Sequence, residues 1–317
     1  MNGFVTLSCG GTLCALRAPS MTEPQPNQRR LGFSAAIGAY FIWGFLPLYL
    51  ILVKSVPPTE FVGWRVIWTL PICMAIVLFR RQMPDLRAAF ANRKVMLVLT
   101  ATSTLVGVNW LVYVWAIQSG NVYAASLGYY INPLINVLLG TVLLKERLTR
   151  PQWLAVCTAA VGVAVLLAGA LTTLWISLTL ALSFSTYGLL RKQVPVGSLP
   201  GLTIESVILL LPASGIAMWY AASPAGSSFT HSPMLSLFIV LGGLATAIPL
   251  LLFAIAARLM DYSTLGFFQF IAPTIVFILG LTVFKQPLLP AQAASFALIW
   301  AAIALFVWDL LSRRRAA

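Results

Sequence analysis

The chain is short of charge, and shortest of acid. Only 9% of its 317 residues are Asp, Glu, Lys or Arg, against about 25% in a soluble globular domain. Seven acids face 20 Lys and Arg, and there is one histidine, His231, in a polar loop. That excludes an intramembrane zinc protease, which needs an HExxH helix, and a Ser–His dyad fails for the same reason. No GxxxxGK[ST] loop is present, which argues against an ATP-driven pump within this chain. Four cysteines, at 9, 14, 73 and 157, make no CxxC pair and no metal-ligand spacing. Neither an enzyme nor a metal or cofactor site is expected. Cys73 and Cys157 lie inside apolar runs, where a thiol serves as a small hydrophobe.

What is present is hydrocarbon. Hydrophobic residues make up 60% of the chain, and the mean hydropathy is +0.93. One water-soluble core of this size could not bury so much apolar surface. A spanning helix needs about 20 predominantly apolar residues. Ten such runs are read, near 32–53, 59–79, 95–117, 122–144, 151–169, 172–190, 202–222, 234–256, 263–284 and 291–311. Residues 1–30 are set apart as a tail: the first 20 lack the basic start of a signal peptide, and translation is expected to begin at Met21. A basic tail, 313–317, closes the chain.

The basic residues are placed unevenly. Seventeen of the 20 fall at one set of span ends, from Arg17, Arg29 and Arg30 through Arg80 and Arg81 to Arg313–Arg315. The other ends have Lys54 and Lys285, and Arg65 lies within a span. Cytoplasmic loops carry the excess of Lys and Arg. Both termini are therefore expected in the cytoplasm, and the positive charge reads as topology rather than as a nucleic-acid surface.

An internal repeat is also legible. INPLINVLLGTVLLKERLTRPQ (131–152) lies on IAPTIVFILGLTVFKQPLLPAQ (271–292) at a constant offset of 140. Pro133 meets Pro273, Gly140 meets Gly280, Lys145 meets Lys285, Leu148 meets Leu288 and Gln152 meets Gln292. These are the fourth and ninth spans, so the chain divides into five-helix halves, 31–170 and 171–312. Five is odd, so the halves enter the membrane inverted, an arrangement whose proline-interrupted helices mark midplane sites in secondary transporters. The predicted fold is all-α: ten transmembrane helices as two inverted five-helix repeats.

Six blocks carry a family resemblance: YFIWG (40–44), RVIW (65–68), NWL (109–111), SLGYYINPL (126–134), YGLLRK (187–192) and TLGFFQFIAPT (264–274). Together they resemble the RarD-type permeases of the EamA branch of the drug/metabolite transporter superfamily, over about residues 31–311. The resemblance implies a ten-helix inverted-repeat transporter of the bacterial inner membrane and an association with chloramphenicol sensitivity. Two positions depart from it. Trp64 stands where the group often has histidine, and Gln286 where it has an acid, whereas the first half keeps Glu146.

The candidate site residues follow from polarity inside apolar runs. Tyr129, Asn132, Asn136 and Gly140 are spaced 3, 4 and 4 and share one helical face. Pro133 withholds an N–H and crowds the carbonyl of Tyr129. Such groups cost several kcal/mol each against lipid. Two readings stand: cavity lining, or hydrogen bonds to neighbouring helices worth about 1 kcal/mol each. Gln269 matches Tyr129 at the repeat offset; Trp43, Gly44 and Pro47 mark a break in the first span, with Tyr40 one turn before Trp43 as a further lining candidate, and Pro273 marks one in the ninth. Asn109 and Tyr113 share a face of the third span, and Tyr187 sits late in the sixth. Arg65, Glu60 and Glu205 are the gating or coupling candidates, with structural pairing as the equal alternative. Ala160, Ala164 and Ala168 are read as an internal packing stripe.

The function expected is secondary-active export of a small organic metabolite or drug-like molecule by alternating access. Proton coupling and facilitated diffusion both fit the scarcity of acids. A lipid-handling or non-transporting membrane protein is the alternative. The partners expected are the substrate, protons if coupled, and the bilayer.

Overall fold

The computed structural model describes residues 26–119, 121–167, 174–283, 285 and 290–316. The proposed start at Met21, Ala168, the junction between the halves, Gln286 and Leu288 lie outside the described residues.

Every described element is helical. The long helices are α1 (Pro26–Leu52), α2 (Pro58–Phe79), α4 (Arg93–Gln118), α5 (Val122–Val142), α6 (Arg150–Leu167), α7 (Leu174–Gln193), α8 (Ser198–Ala221), α9 (Pro233–Leu259) and α12 (Pro290–Ala316). Shorter are α3 (Met83–Ala91) and the consecutive α10 (Tyr262–Gln269) and α11 (Ile271–Thr282). Among the described residues, seven segments are long and apolar enough to cross a membrane, with 262–282 counted as one. The chain is a polytopic helical membrane protein. The fourth to sixth runs account for the difference from ten: Leu127–Val142 and Arg150–Leu166 are shorter apolar stretches. Helix α7 carries six hydroxyl-bearing residues between Ser177 and Tyr187.

Both ends extend further than the sequence suggests. Helix α1 starts at Pro26 rather than after residue 30, a proline being well placed in a first turn. Helix α12 runs through the basic tail to Ala316.

Polar residues between the runs set several helix starts. Asn92 Oδ1 accepts from the N–H of Lys94 and Val95 at 3.1 and 3.2 Å, opening α4. Ser232 Oγ accepts from Leu235 N–H at 3.2 Å at the start of α9. Thr149 and Gln152 form a reciprocal capping box before α6: Gln152 N–H donates to Thr149 Oγ1 (3.3 Å) and Thr149 N–H to Gln152 Oε1 (3.0 Å). Gln152, prominent in the repeat, therefore serves to start a helix.

Packing joins the first part of the chain to the second. Helix α1 lies against α9, α2 against α8 and α9, α4 and α5 against α7, α5 against α10, and α6 against α12. The predicted small-residue stripe is displaced: Ala160 and Ala164 are exposed, and α6 meets α12 through the buried Ala155, Ala159 and Gly162. A step from 160 to 159 turns the helix face by about 100°, which separates the two stripes.

None of the three prolines expected to break a helix sits at an interruption. Helices α1 and α5 continue through Pro47 and Pro133. The interruption falls at Phe270, between α10 and α11, three residues before Pro273. Proline lacks the N–H that would bond four residues back, and for Pro273 that acceptor is Gln269.

Candidate functional site

A cavity of about 400 Å³ lies among α1, α2, α4, α5, α7, α9 and α11. Its lining comes from the later parts of α1 (Tyr40 to Leu50) and α4 (Asn109 to Val114) and from the junction of α10 with the start of α11 (Gln269 to Val276). It comes equally from the early parts of α2 (Pro58 to Arg65) and α5 (Tyr129, Tyr130). It reaches the α1–α2 connection at Val53, the exposed Lys54 and Val56. Arg80, Arg93, Lys145 and Lys192 lie at or just beyond the opposite ends of α2, α4, α5 and α7. The cavity thus occupies the end of the bundle away from the basic residues.

Arg65 is its one cation below the mouth. Nε donates to Thr246 Oγ1 of α9 at 2.8 Å. The guanidinium carbon stands 5.2 Å from the Trp110 ring centre and 5.7 Å from that of Phe61, and ring faces attract a cation by about 0.5–2 kcal/mol. A charged side chain within a span costs about 2.5–3.5 kcal/mol on insertion scales, so these contacts offset part of that cost. Gly242 makes the seat possible: an added Cβ would meet Phe61, the Tyr49 hydroxyl and Arg65 Cγ at 3.0–3.1 Å.

The walls are aromatic. Tyr113 and Tyr129 meet edge to face with ring centres 5.8 Å apart, and Trp43 meets Phe184 the same way at 5.8 Å. Asn109 is held by its Nδ2, which donates to Leu180 carbonyl and Ser183 Oγ, both at 2.9 Å. Gln269 Oε1 accepts from Asn136 Nδ2 at 2.8 Å. The Tyr40 hydroxyl is buried without a hydrogen-bond partner.

Of the predicted residues, the cavity gathers Tyr40, Trp43, Pro47, Arg65, Asn109, Tyr113, Tyr129, Gln269 and Pro273. It does not gather Asn132, Asn136, Pro133, Tyr187, Glu60 or Glu205. Asn132 and Asn136 are buried below its floor, in the seam of α5 with α7 and α10. Two glycines close that seam: a Cβ at Gly266 would stand 2.8 Å from the Pro133 carbonyl, and one at Gly140 2.5 Å from Ser263 Oγ. Asn132 Nδ2, Asn136 Oδ1 and Ser263 Oγ are left without partners there, and a buried unpaired polar atom costs about 1–3 kcal/mol.

Both acids are engaged by hydrogen bonds outside the cavity. Glu60 accepts from Ser227 Oγ (2.6 Å), Ser228 N–H (2.9 Å) and Ser228 Oγ (2.7 Å), which ties α2 to the α8–α9 connection. Trp64 stacks on Phe229 of the same connection, ring centres 4.4 Å apart. Glu205 accepts from Thr102 Oγ1 at 2.6 Å and pairs with Arg191 Nε at 3.6 Å. Tyr187 hydrogen-bonds Glu205 at 3.3 Å and stacks on Phe253. Sequence reasoning missed Arg191, counting it with the loop charges. Gly201 on α8 marks its seat, because a Cβ there would overlap the guanidinium.

Membrane-length helices around an aromatic-walled cavity that holds an arginine are the arrangement of a membrane transporter. The chain belongs to the EamA-like transporter family, whose model matches residues 30–168, and within it to the RarD-type permeases. It is 42% identical to an uncharacterized transporter of Pseudomonas aeruginosa, over 89% of this chain and 95% of that one. It is 39% identical to protein RarD of Escherichia coli K12, over 91% and 98%. The chloramphenicol-sensitive protein RarD of Pseudomonas aeruginosa is 29% identical over 88% and 94%. A solved crystal structure, 20% identical, superposes with a TM-score of 0.68 over 90% of this chain and 99% of that one, and shares the fold.

Proposed function

We propose that this transporter exports a small organic molecule across the bacterial inner membrane by alternating access, using ten spans in two inverted halves with both termini cytoplasmic. The observation that carries the reading is the placement of the cavity toward one end of the bundle, with Lys54 in its lining. By the positive-inside rule, its mouth at Lys54 faces away from the cytoplasm, and the seam of α5 with α10 is the closed cytoplasmic gate. The unpaired atoms of Asn132, Asn136 and Ser263 support that gate. They are costly where they are, and they would line a path if α5 and α10 parted.

The packing supports the inverted halves. Exchange of the five spans of one half for those of the other turns the α1–α9 contact into the α7–α4 contact, and the α5–α7 contact into the α11–α1 contact. Lys145 and Lys285, matched at the repeat offset, both adopt left-handed backbone, φ 56° and 53°, which non-glycine residues rarely do.

The test is flux in proteoliposomes, with and without a proton gradient. Movement of any small organic solute that persists in the reduced Asn136→Cys/Gly266→Cys variant, is lost when the pair is oxidised and returns on reduction supports the proposal. Movement of labelled lipid with no solute flux replaces it with the lipid-handling reading. Accumulation against a gradient that needs protons selects coupling; equilibration alone selects facilitated diffusion.

A further inference from the structure

We propose that the cavity takes a small organic monoanion, a carboxylate on a flat aromatic body, with Arg65 as its counter-charge. The proposal rests on the transport reading above and names the substrate class of that same cavity.

The charge pattern carries it. Among the described residues, no Asp or Glu lines the cavity. The two acids nearest in sequence or packing are engaged elsewhere, Glu60 with Ser227 and Ser228, and Glu205 with Arg191. Glu205 is thereby neutralised by a cation outside the cavity. Arg65 spends Nε on Thr246, and its terminal amino groups make no hydrogen bond within the described residues. A guanidinium presents a fork that matches a carboxylate in two parallel hydrogen bonds. Lys54 at the mouth adds a second positive charge on the way in, and a cleft lined by one sign of charge concentrates ions of the other.

The remaining walls say what the anion is attached to. Trp43, Tyr113 and Tyr129 offer ring faces, and about 400 Å³ lies at the low end of small-molecule sites. Among the described residues the lining offers an ammonium group no carboxylate, only ring faces worth about 0.5–2 kcal/mol and neutral oxygens. A zwitterion would bury its positive end without a counter-charge, and a cation would in addition face Arg65 and Lys54. A matched neutral amide would forgo the charge-assisted pair. The order expected is therefore acid first, amide weaker, amine last.

The probes are indole-3-acetate, indole-3-acetamide and tryptamine, which share a ring and differ at the charged end. Binding is measured by titration calorimetry on the full chain in nanodiscs, with flux of each in proteoliposomes alongside. The acid is expected to bind at least about tenfold tighter than the amide, the factor supplied by about 1.4 kcal/mol, and the amine not measurably. Arg65→Gln is expected to abolish the preference for acid over amide, and Arg65→Lys to retain part of it. Equal binding of acid and amide in the wild type overturns the proposal without recourse to any variant. Binding of the amine, or of none of the three, overturns it as well. Arg65-dependent binding of the acid without flux keeps the substrate class and overturns the transport reading. Flux of the amide or the amine undiminished by Arg65→Gln does the reverse.

Discussion

Glu146, just past the end of α5, accepts hydrogen bonds from the backbone N–H groups of Tyr262 (2.6 Å) and Ser263 (2.8 Å) at the start of α10. A carboxylate at a helix N-terminus satisfies free donors and the positive end of the helix dipole together. The same α10 start is anchored from the other side. Lys192 Nζ donates to the carbonyls of Ala257 and Met260, at 3.1 and 2.5 Å, at the end of α9. Glu146 therefore holds the face that α5 would release in the proposed opening.

Glu146→Gln should loosen that latch. A hydrogen bond to a charged group is worth about 1.5–3 kcal/mol, enough to shift an open–closed balance by about tenfold or more. The readout is alkylation of a Ser263→Cys reporter by a membrane-impermeant maleimide applied from the basic end. Faster labelling with Gln at 146 is expected, and an unchanged rate would count against the latch.

Gly266→Ala tests the seam by adding volume. The new methyl would sit 2.8 Å from the Pro133 carbonyl and 3.0 Å from Asn136 Cβ. Overpacking of this kind costs about 1–3 kcal/mol, and here the cost falls on the state with the seam closed. Flux should drop, and Ser263→Cys labelling should rise even with Glu146 intact. Slower labelling would show that the seam is not the element that opens.

Breaking the buried pair should damage stability rather than selectivity. Arg191 is 1% exposed and Glu205 2%, so Glu205→Gln leaves a buried guanidinium without its counter-charge. That change is expected to cost about 3–5 kcal/mol, read as a lower midpoint in thermal unfolding of the detergent-solubilised chain. Glu205→Gln combined with Arg191→Met should recover much of the loss. A single variant as stable as wild type would show the pair to be dispensable.

What could be read beforehand divides along physical lines. Composition and run length reveal a membrane bundle because hydrocarbon imposes a single pattern on every span. The offset of 140 was visible because Pro133, Gly140 and Lys145 have backbone roles that few residues fill. Arg65 stood out as a charge inside a run. Contacts between distant helices were not visible: nothing local in YGLLRK tells that Arg191 turns inward to Glu205 while Lys192 caps α9. The polar face of α5 was recognised, but a helical wheel cannot tell a cavity from a closed seam, since both demand polar side chains away from lipid. Gly266, on the other side of the seam, decides that point and carries no signal of its own.

Asn132→Ala separates those two roles. Asn132 is fully buried, its Nδ2 has no partner, and its Oδ1 meets Ser185 Oγ only at 3.5 Å, at the edge of hydrogen-bond range. Truncation should therefore change unfolding stability by no more than about 1 kcal/mol. Asn109→Ala removes two hydrogen bonds at 2.9 Å and should be the more destabilising of the two. Flux is expected to follow the other order if the seam opens during transport. Asn132 would then meet the passing solute, and its loss would slow turnover while leaving equilibrium binding in the outer cavity unchanged. Paired measurements of binding and flux check this. An Asn132→Ala variant with wild-type flux would confine Asn132 to packing and move the path elsewhere in the bundle.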